Sequence, residues 1–81
     1  MEYVYEIIID AEKVNDYIRG RINGMIYILT RKPDMSFGWS NKKAHNRWLT
    51  KVQCSEETFK EIIKTIEHVY PGVIVESQKV S

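Results

Sequence analysis

The sequence predicts an α+β domain, in which strands and helices alternate along a single 81-residue chain. Two observations support this class. Aromatic and β-branched runs, which are typical of strands, lie near both ends of the chain. One segment in the second half has apolar residues at helical spacing. Residues 1–81 contain no linker, repeat or low-complexity stretch, so we expect one domain, near the lower size that a hydrophobic core stabilises alone.

The first part of the chain predicts a strand, a helix and a second strand. Tyr3–Ile9 is rich in aromatic and β-branched residues and predicts the first strand. Asp10 offers a side-chain N-cap for the helix that follows. Asn23-Gly24 predicts a turn that ends this helix, and the apolar run Met25–Thr30 then predicts a second strand. The apolar residues on one face of this helix are Ala11, Val14, Tyr17, Ile18 and Ile22.

The middle of the chain predicts a long loop followed by a third strand. Pro33 interrupts regular strand pairing, so we expect Arg31–Lys43 to form a loop. Ala44–Cys54 predicts the third strand. Its successive side chains alternate between two sets, as they do along a β-strand, where neighbouring residues point to opposite faces.

The last third of the chain predicts a helix and a final strand. Ser55 is a favourable N-cap, and the two glutamates that follow it complement the positive end of a helix. Tyr70-Pro71-Gly72 ends this helix, and Val73–Lys79 predicts the last strand. The apolar stripe of the helix consists of Phe59, Ile62, Ile63, Ile66 and Val69.

These elements follow the order βαββαβ, which predicts a ferredoxin-like plait: a four-stranded antiparallel sheet with two helices on one face. In such a plait the first and third strands are neighbours, so we expect Glu6 opposite Lys51 or Arg47. The residues expected to face the helices include Tyr3, Tyr5, Ile7, Trp48 and Val52. The residues expected on the open face include Val4, Glu6, Ile8, Arg47, Leu49, Lys51 and Gln53.

Charge is unevenly distributed along the chain. The segment from Arg19 to Lys51 contains eight basic residues and one acid, Asp34, whereas the remainder contains four lysines and ten carboxylates. The net charge of +1 therefore conceals a strongly basic middle segment. Basic residues interleaved with aromatic rings are typical of surfaces that bind polyanions.

The predicted loop is the strongest candidate binding site in the sequence. Phe37 and Trp39 flank a glycine, and two lysines follow within four residues. A nucleobase stacked on such a ring contributes about 1–3 kcal/mol, while lysines meet the phosphates. The favoured function is therefore a non-catalytic module that binds nucleic acid, either RNA or single-stranded DNA. The predicted partner-binding residues are Arg31, Lys32, Phe37, Trp39, Lys42, Lys43, Arg47 and Lys51.

Structural roles are the alternatives for several of these aromatic and basic residues. Phe37 and Trp39 are equally compatible with a role in covering the core or a dimer interface. Trp48, on a central strand, is more typical of a core residue. Arg19 and Arg21 lie near the expected end of the first helix, where cations complement the negative helix terminus.

RNA-recognition modules share the predicted element order, and their third strand has a basic-Gly-aromatic-Gly-aromatic signature. The corresponding strand here reads Asn46-Arg47-Trp48-Leu49-Thr50-Lys51-Val52, without the glycines or the second aromatic residue. The signature is not met. Nucleic-acid binding by this chain would therefore rely on backbone charge and loop stacking.

Two further interpretations concern protein partners. In the first, the chain is an interaction module or inhibitor of the viral or mobile-element type, whose basic loop blocks an acidic or nucleic-acid-binding groove of a host protein. In the second, the chain forms a homodimer by burying Val4, Ile8 and Leu49 of the open face at a two-fold axis.

The sequence contains no recognisable catalytic, cofactor or metal-binding motif, so we expect no enzyme activity and no cofactor. Cys54 falls on a buried strand position, and His45 and His68 have no further ligands at metal-binding spacing. The longest apolar runs fall far short of the roughly 20 residues that span a membrane. With a single cysteine and no secretory signal at the N-terminus, the chain is expected to be cytoplasmic.

Overall fold

The computed structural model of the chain describes residues 1–31 and 46–81, together with the backbone of residues 40–42. Two helices and an antiparallel sheet confirm the predicted α+β class. The elements are β1 (Tyr3–Asp10), α1 (Asp16–Thr30), β2 (Ser40–Lys42), β3 (Arg47–Cys54), α2 (Glu56–Val69) and β4 (Ile74–Lys79).

Three long strands form the body of the sheet, with β1 between β3 and β4. β1 pairs antiparallel with β3 along its whole length, from Tyr3 opposite Cys54 to Asp10 opposite Arg47. Glu6 lies opposite Lys51, as the sequence predicts. The three-residue β2 pairs with the first residues of β3 at the sheet edge.

The hydrophobic core lies between one face of this sheet and the two helices. Alternate residues of β1 and β3 point into it, so the predicted inward set, including Ile7 and Val52, is confirmed. The Tyr5 and Phe59 rings stack with their centroids 4.0 Å apart, which joins β1 to α2. The buried core residues are Tyr5, Ile7, Ile9, Val14, Ile22, Ile26, Val52, Cys54, Ile62, Ile66 and Val73.

Helix α2 follows its prediction closely. The Ser55 Oγ accepts a hydrogen bond of 3.2 Å from the backbone N–H of Thr58, which is the expected N-cap. Ile62 and Ile66 are fully buried, whereas Val69 at the end of the predicted stripe is exposed. The chain then turns at Gly72, whose φ of 80° favours glycine.

Helix α1 begins later than predicted. Its N-cap is Asn15, whose Oδ1 accepts a hydrogen bond of 2.8 Å from the N–H of Ile18. Asp10 is instead the last residue of β1, and its carboxylate accepts a hydrogen bond from the N–H of Glu12. The apolar face of the helix also differs from the prediction, because Tyr17 points into solvent.

The predicted strand over Met25–Thr30 is wrong, because α1 continues through Asn23-Gly24 without a turn. Ile22 and Ile26 lie one helical turn apart and are both fully buried, so packing on the sheet outweighs the local turn preference. The helix ends at Arg31, which adopts a left-handed conformation with φ 54°.

Two boundaries in the middle of the chain also change. The predicted Arg31–Lys43 loop contains the short strand β2 at Ser40–Lys42. The sequence predicts a third strand from Ala44, but β3 begins at Arg47. Ala44 and His45 lie outside the described residues.

Candidate functional site

Three of the eight predicted partner-binding residues have described side chains: Arg31, Arg47 and Lys51. Lys42 is described by its backbone, and its Cα pairs with that of Arg47. The remaining four, which are Lys32, Phe37, Trp39 and Lys43, lie outside the described residues.

Arg47 and Lys51 lie on the face of the sheet that carries no helix. The Arg47 Nη1 is 3.5 Å from the Oδ1 of Asp10, its partner across the strands. Lys51 lies opposite Glu6, whose Oε1 accepts a hydrogen bond of 3.2 Å from Gln78. Basic and acidic side chains are therefore interspersed on this face, and their fields offset each other.

The other described arginines of the basic segment belong to the opposite side of the sheet. Arg19 and Arg21 are in α1, and Arg31 is its C-cap. The described basic residues thus occupy both sides of the sheet. Convergence of the eight predicted residues on one patch stays a prediction.

Trp48 packs at the border of the core, in agreement with its interpretation as a core residue. The guanidinium of Arg19 lies 4.2 Å from the centroid of the Trp48 ring and also pairs with Asp16 at 3.0 Å. Arg19 is therefore engaged in holding α1 against β3.

The outward side of α1 displays large apolar side chains to solvent. Tyr17 is 69% exposed, Ile28 is 70% exposed and Tyr27 is 40% exposed. Successive residues of an α-helix are rotated by about 100° around its axis. Residues that are three, four, seven or eleven positions apart therefore lie on the same face of α1. We call this surface the α1 outer face; it consists of Tyr17, Gly20, Arg21, Gly24, Tyr27 and Ile28.

Two glycines form the floor of the α1 outer face. A Cβ atom added at Gly20 or Gly24 would meet nothing within 4 Å. Neither glycine has a positive φ, so the backbone conformation does not require glycine. Glycine inside a helix costs roughly 0.5–1 kcal/mol relative to alanine. The described part of the fold therefore bears this cost at two positions without any packing gain.

A fixed positive charge adjoins the glycines. Arg21 Nη1 donates a hydrogen bond of 3.4 Å to the Tyr17 hydroxyl, and its guanidinium lies 5.9 Å from the Tyr17 ring centroid. The Tyr17 hydroxyl and the nearby Tyr70 raise the pKa of Arg21 above its ordinary value. The only carboxylate of α1, Asp16, already pairs with Arg19. The α1 outer face therefore combines apolar surface with a positive charge, that of Arg21, which forms no salt bridge with any carboxylate of residues 1–31 or 46–81.

Sequence reasoning missed this surface because it ended the first helix at Asn23-Gly24. The signal was present in the spacing of Tyr17, Gly24 and Ile28, which share a face once the helix continues. The strand interpretation of Met25–Thr30 concealed it.

The helix-free face of the sheet exposes less apolar surface. Ile8 at its centre is only 9% exposed, and Val4 and Leu49 are partly buried. Neighbouring side chains already cover much of the apolar area that the homodimer hypothesis would bury.

Cys54, the single cysteine of the chain, is a buried thiol. Among residues 1–31 and 46–81, no three potential metal ligands cluster together. Within the same residues, neither helix has the length and apolar character needed to cross a bilayer.

Comparison with protein-family models, curated proteins and solved structures finds no match.

Proposed function

We propose that this chain is a non-catalytic binding module that docks on another protein through the α1 outer face. The supporting observation is the exposure of Tyr17 and Ile28 on one side of the glycine floor and of Tyr27 on the other. Interface cores are enriched in aromatic residues and arginine, and such residues dominate binding energy. The α1 outer face offers two tyrosines, an isoleucine and Arg21 in one stripe.

A docking domain of this size acts by occupying a surface of its partner. This is how an inhibitor of the viral or mobile-element type would block a host protein, and we propose that role in the cytosol. No catalytic group is needed for it, since affinity and occlusion provide the effect.

The experiment is a pull-down with the full chain from nuclease-treated lysate. The wild type is compared with the Tyr17→Ser/Ile28→Ser double variant and with a control, Val75→Ser/Val80→Ser, which removes exposed apolar groups from the opposite end of the chain. We expect the wild type and the control to retain the same protein. The amount of this protein retained by Tyr17→Ser/Ile28→Ser should be lower by about tenfold or more. Equal retention by all three would contradict the proposal.

Nucleic-acid binding is a second candidate function. It is supported by the pairing of Lys42 with Arg47 in neighbouring strands, with Lys51 further along β3. We propose RNA or single-stranded DNA as the polyanion, with Phe37 and Trp39 stacking on its bases.

Fluorescence anisotropy with a labelled oligouridine, measured across a salt series, tests this second function. The Arg47→Gln/Lys51→Gln variant is compared with Lys60→Gln/Lys64→Gln on α2. Neutralised phosphates make affinity fall as salt rises. We expect that slope in the wild type and a smaller slope in the β3 variant alone. Absence of binding at low salt would exclude this function.

We also propose that the fold is a ferredoxin-like plait in which β2 is a shortened second strand. The sheet order β2-β3-β1-β4 and the packing of both helices on one face support this assignment. Nuclear Overhauser contacts between Asn41 and Trp48 are expected; their absence would leave a three-stranded sheet.

Self-association through the helix-free face is the third proposal from the sequence. Val4, Ile8 and Leu49 would lie at its centre. Sedimentation at micromolar concentration tests it, and a strictly monomeric species would exclude it.

A further inference from the structure

We infer that the element docked on the α1 outer face is an amphipathic, acidic helix of another protein. This inference rests on the proposed docking function and names the chemistry of its partner. It follows from the backbone of α1, the shape of its outer face and the charge around it.

The partner element is a helix because α1 offers no backbone hydrogen bonds. Gly20 and Gly24 are interior helix residues, whose N–H and C=O groups are used within α1. An extended segment buried here would leave its own backbone groups without partners, at a considerable cost. A helix satisfies its backbone internally and can therefore be buried on this surface.

The shape of the α1 outer face fits a second helix. Tyr17 and Ile28 lie on one side of the glycine floor, and Tyr27 lies on the other. Packed helices are usually 8–10 Å apart, and the side chains at the contact set this distance. The absence of side chains at Gly20 and Gly24 permits an approach at the short end of this range, with apolar side chains on both flanks.

The charge of the α1 outer face selects an acidic partner. Arg21 lies beside the floor, Arg31 follows at the end of the same helix, and Asp16 is occupied by Arg19. A glutamate or aspartate on the docked helix would meet Arg21 at the interface rim. A second copy of this chain, docked through the same face about a two-fold axis, would bring two Arg21 side chains together, which is unfavourable.

A display experiment with defined peptides tests the partner class. The probe is a phage library of helical peptides with one alanine-leucine seam, flanked by glutamate in one half and by lysine in the other. We expect the glutamate half to be enriched about tenfold on the wild-type protein, and the lysine half to be enriched on Arg21→Glu. Equal enrichment of both halves, or enrichment that is unchanged on Arg21→Glu, would overturn the inference.

A second variant separates this inference from the proposed function. Gly24→Leu fills the floor with a side chain. We expect this variant to fold, because the space above Gly24 is open, and circular dichroism checks that it does. We expect it to lose about tenfold or more in affinity for the protein retained in the pull-down. If Tyr17→Ser/Ile28→Ser loses binding but Gly24→Leu binds fully, docking through the α1 outer face stands, and the inference that the docked element is a helix is contradicted. Full binding by both would overturn both proposals.

Discussion

The guanidinium of Arg19 lies 4.2 Å from the ring centroid of Trp48, which connects helix α1 to the start of strand β3. Asp16 holds the same guanidinium from one helical turn earlier, at 3.0 Å. This contact helps to set the rotation of α1 on the sheet. That rotation turns Ile22 and Ile26 inward and Tyr17 and Ile28 outward.

Replacing Arg19 by methionine is expected to reduce the free energy of unfolding by about 1 kcal/mol, because a partly desolvated cation–π contact contributes about 0.5–2 kcal/mol. Denaturant unfolding measures the change. Coupling should be visible in a double-mutant cycle with Trp48→Leu. The matched control is Arg21→Met, which leaves the Trp48 contact intact. Equal losses for the two arginines would contradict this account.

Replacing Gly20 or Gly24 by alanine is expected to stabilise the isolated domain by roughly 0.5–1 kcal/mol each. The reason is that both lie within α1 and have open space at the Cβ position. Gly72→Ala is the control, since its φ of 80° makes any side chain unfavourable. It should destabilise the domain. Destabilisation by Gly24→Ala would show that the position is packed.

Residues Ile26 and Ile28 distinguish the helix from the strand that the sequence predicted. In α1 the first is fully buried and the second is mostly exposed. Ile26→Ala should therefore cost about 2–5 kcal/mol, and Ile28→Ala less than about 0.5 kcal/mol. In a strand the two side chains would share one face and respond alike. Similar losses for both, measured by denaturant unfolding, would contradict the helix.

Alkaline pH is expected to destabilise the domain in part through Tyr5. Burial, aided by the nearby Glu56, raises the pKa of this phenol above its ordinary value of 10.0. The folded state therefore holds the phenolic proton more tightly than the unfolded state. The contribution of Tyr5 to the free energy of unfolding is therefore fully present below about pH 10 and is lost as pH rises through the pKa of Tyr5 in the folded state.

The Tyr5→Phe variant isolates this effect, because phenylalanine keeps the stacking with Phe59 but cannot titrate. Unfolding free energies measured below and above about pH 10 should fall less steeply for the variant than for the wild type. Parallel pH dependences would exclude a contribution from Tyr5.

Strand β1 and helix α2 could be predicted because local preference and tertiary packing agree there. The Ser55 cap, the stripe at Ile62 and Ile66, and the stop at Pro71 all indicate the observed helix. In the same way, the alternation along β1 correctly assigned Ile7 to the core and Glu6 to the opposite face.

Helix α1 could not be predicted because its local signals conflict with its packing. A short apolar run such as Met25–Leu29 fits a buried strand or a helix equally well, and Asn23-Gly24 favours a turn. Burial of Ile22 and Ile26 in the core favours the helix and outweighs the local turn preference. Such conflicts between local preference and fold are expected near functional surfaces, and this one coincides with the α1 outer face.

The candidate site was predictable in part. The sequence shows the basic segment and predicts Glu6 opposite Lys51 or Arg47. It does not decide between these two partners of Glu6, and it does not show that Arg47 pairs with Asp10. Those relationships depend on strand register, which becomes visible only when β1 and β3 are aligned.

The most direct test of the account is an amide chemical-shift map of isotope-labelled protein, recorded with and without the protein retained in the pull-down. We expect the largest changes to fall on α1, at Tyr17, Gly20, Gly24 and Ile28. Changes confined to β3, around Arg47 and Lys51, with α1 unaffected, would contradict it.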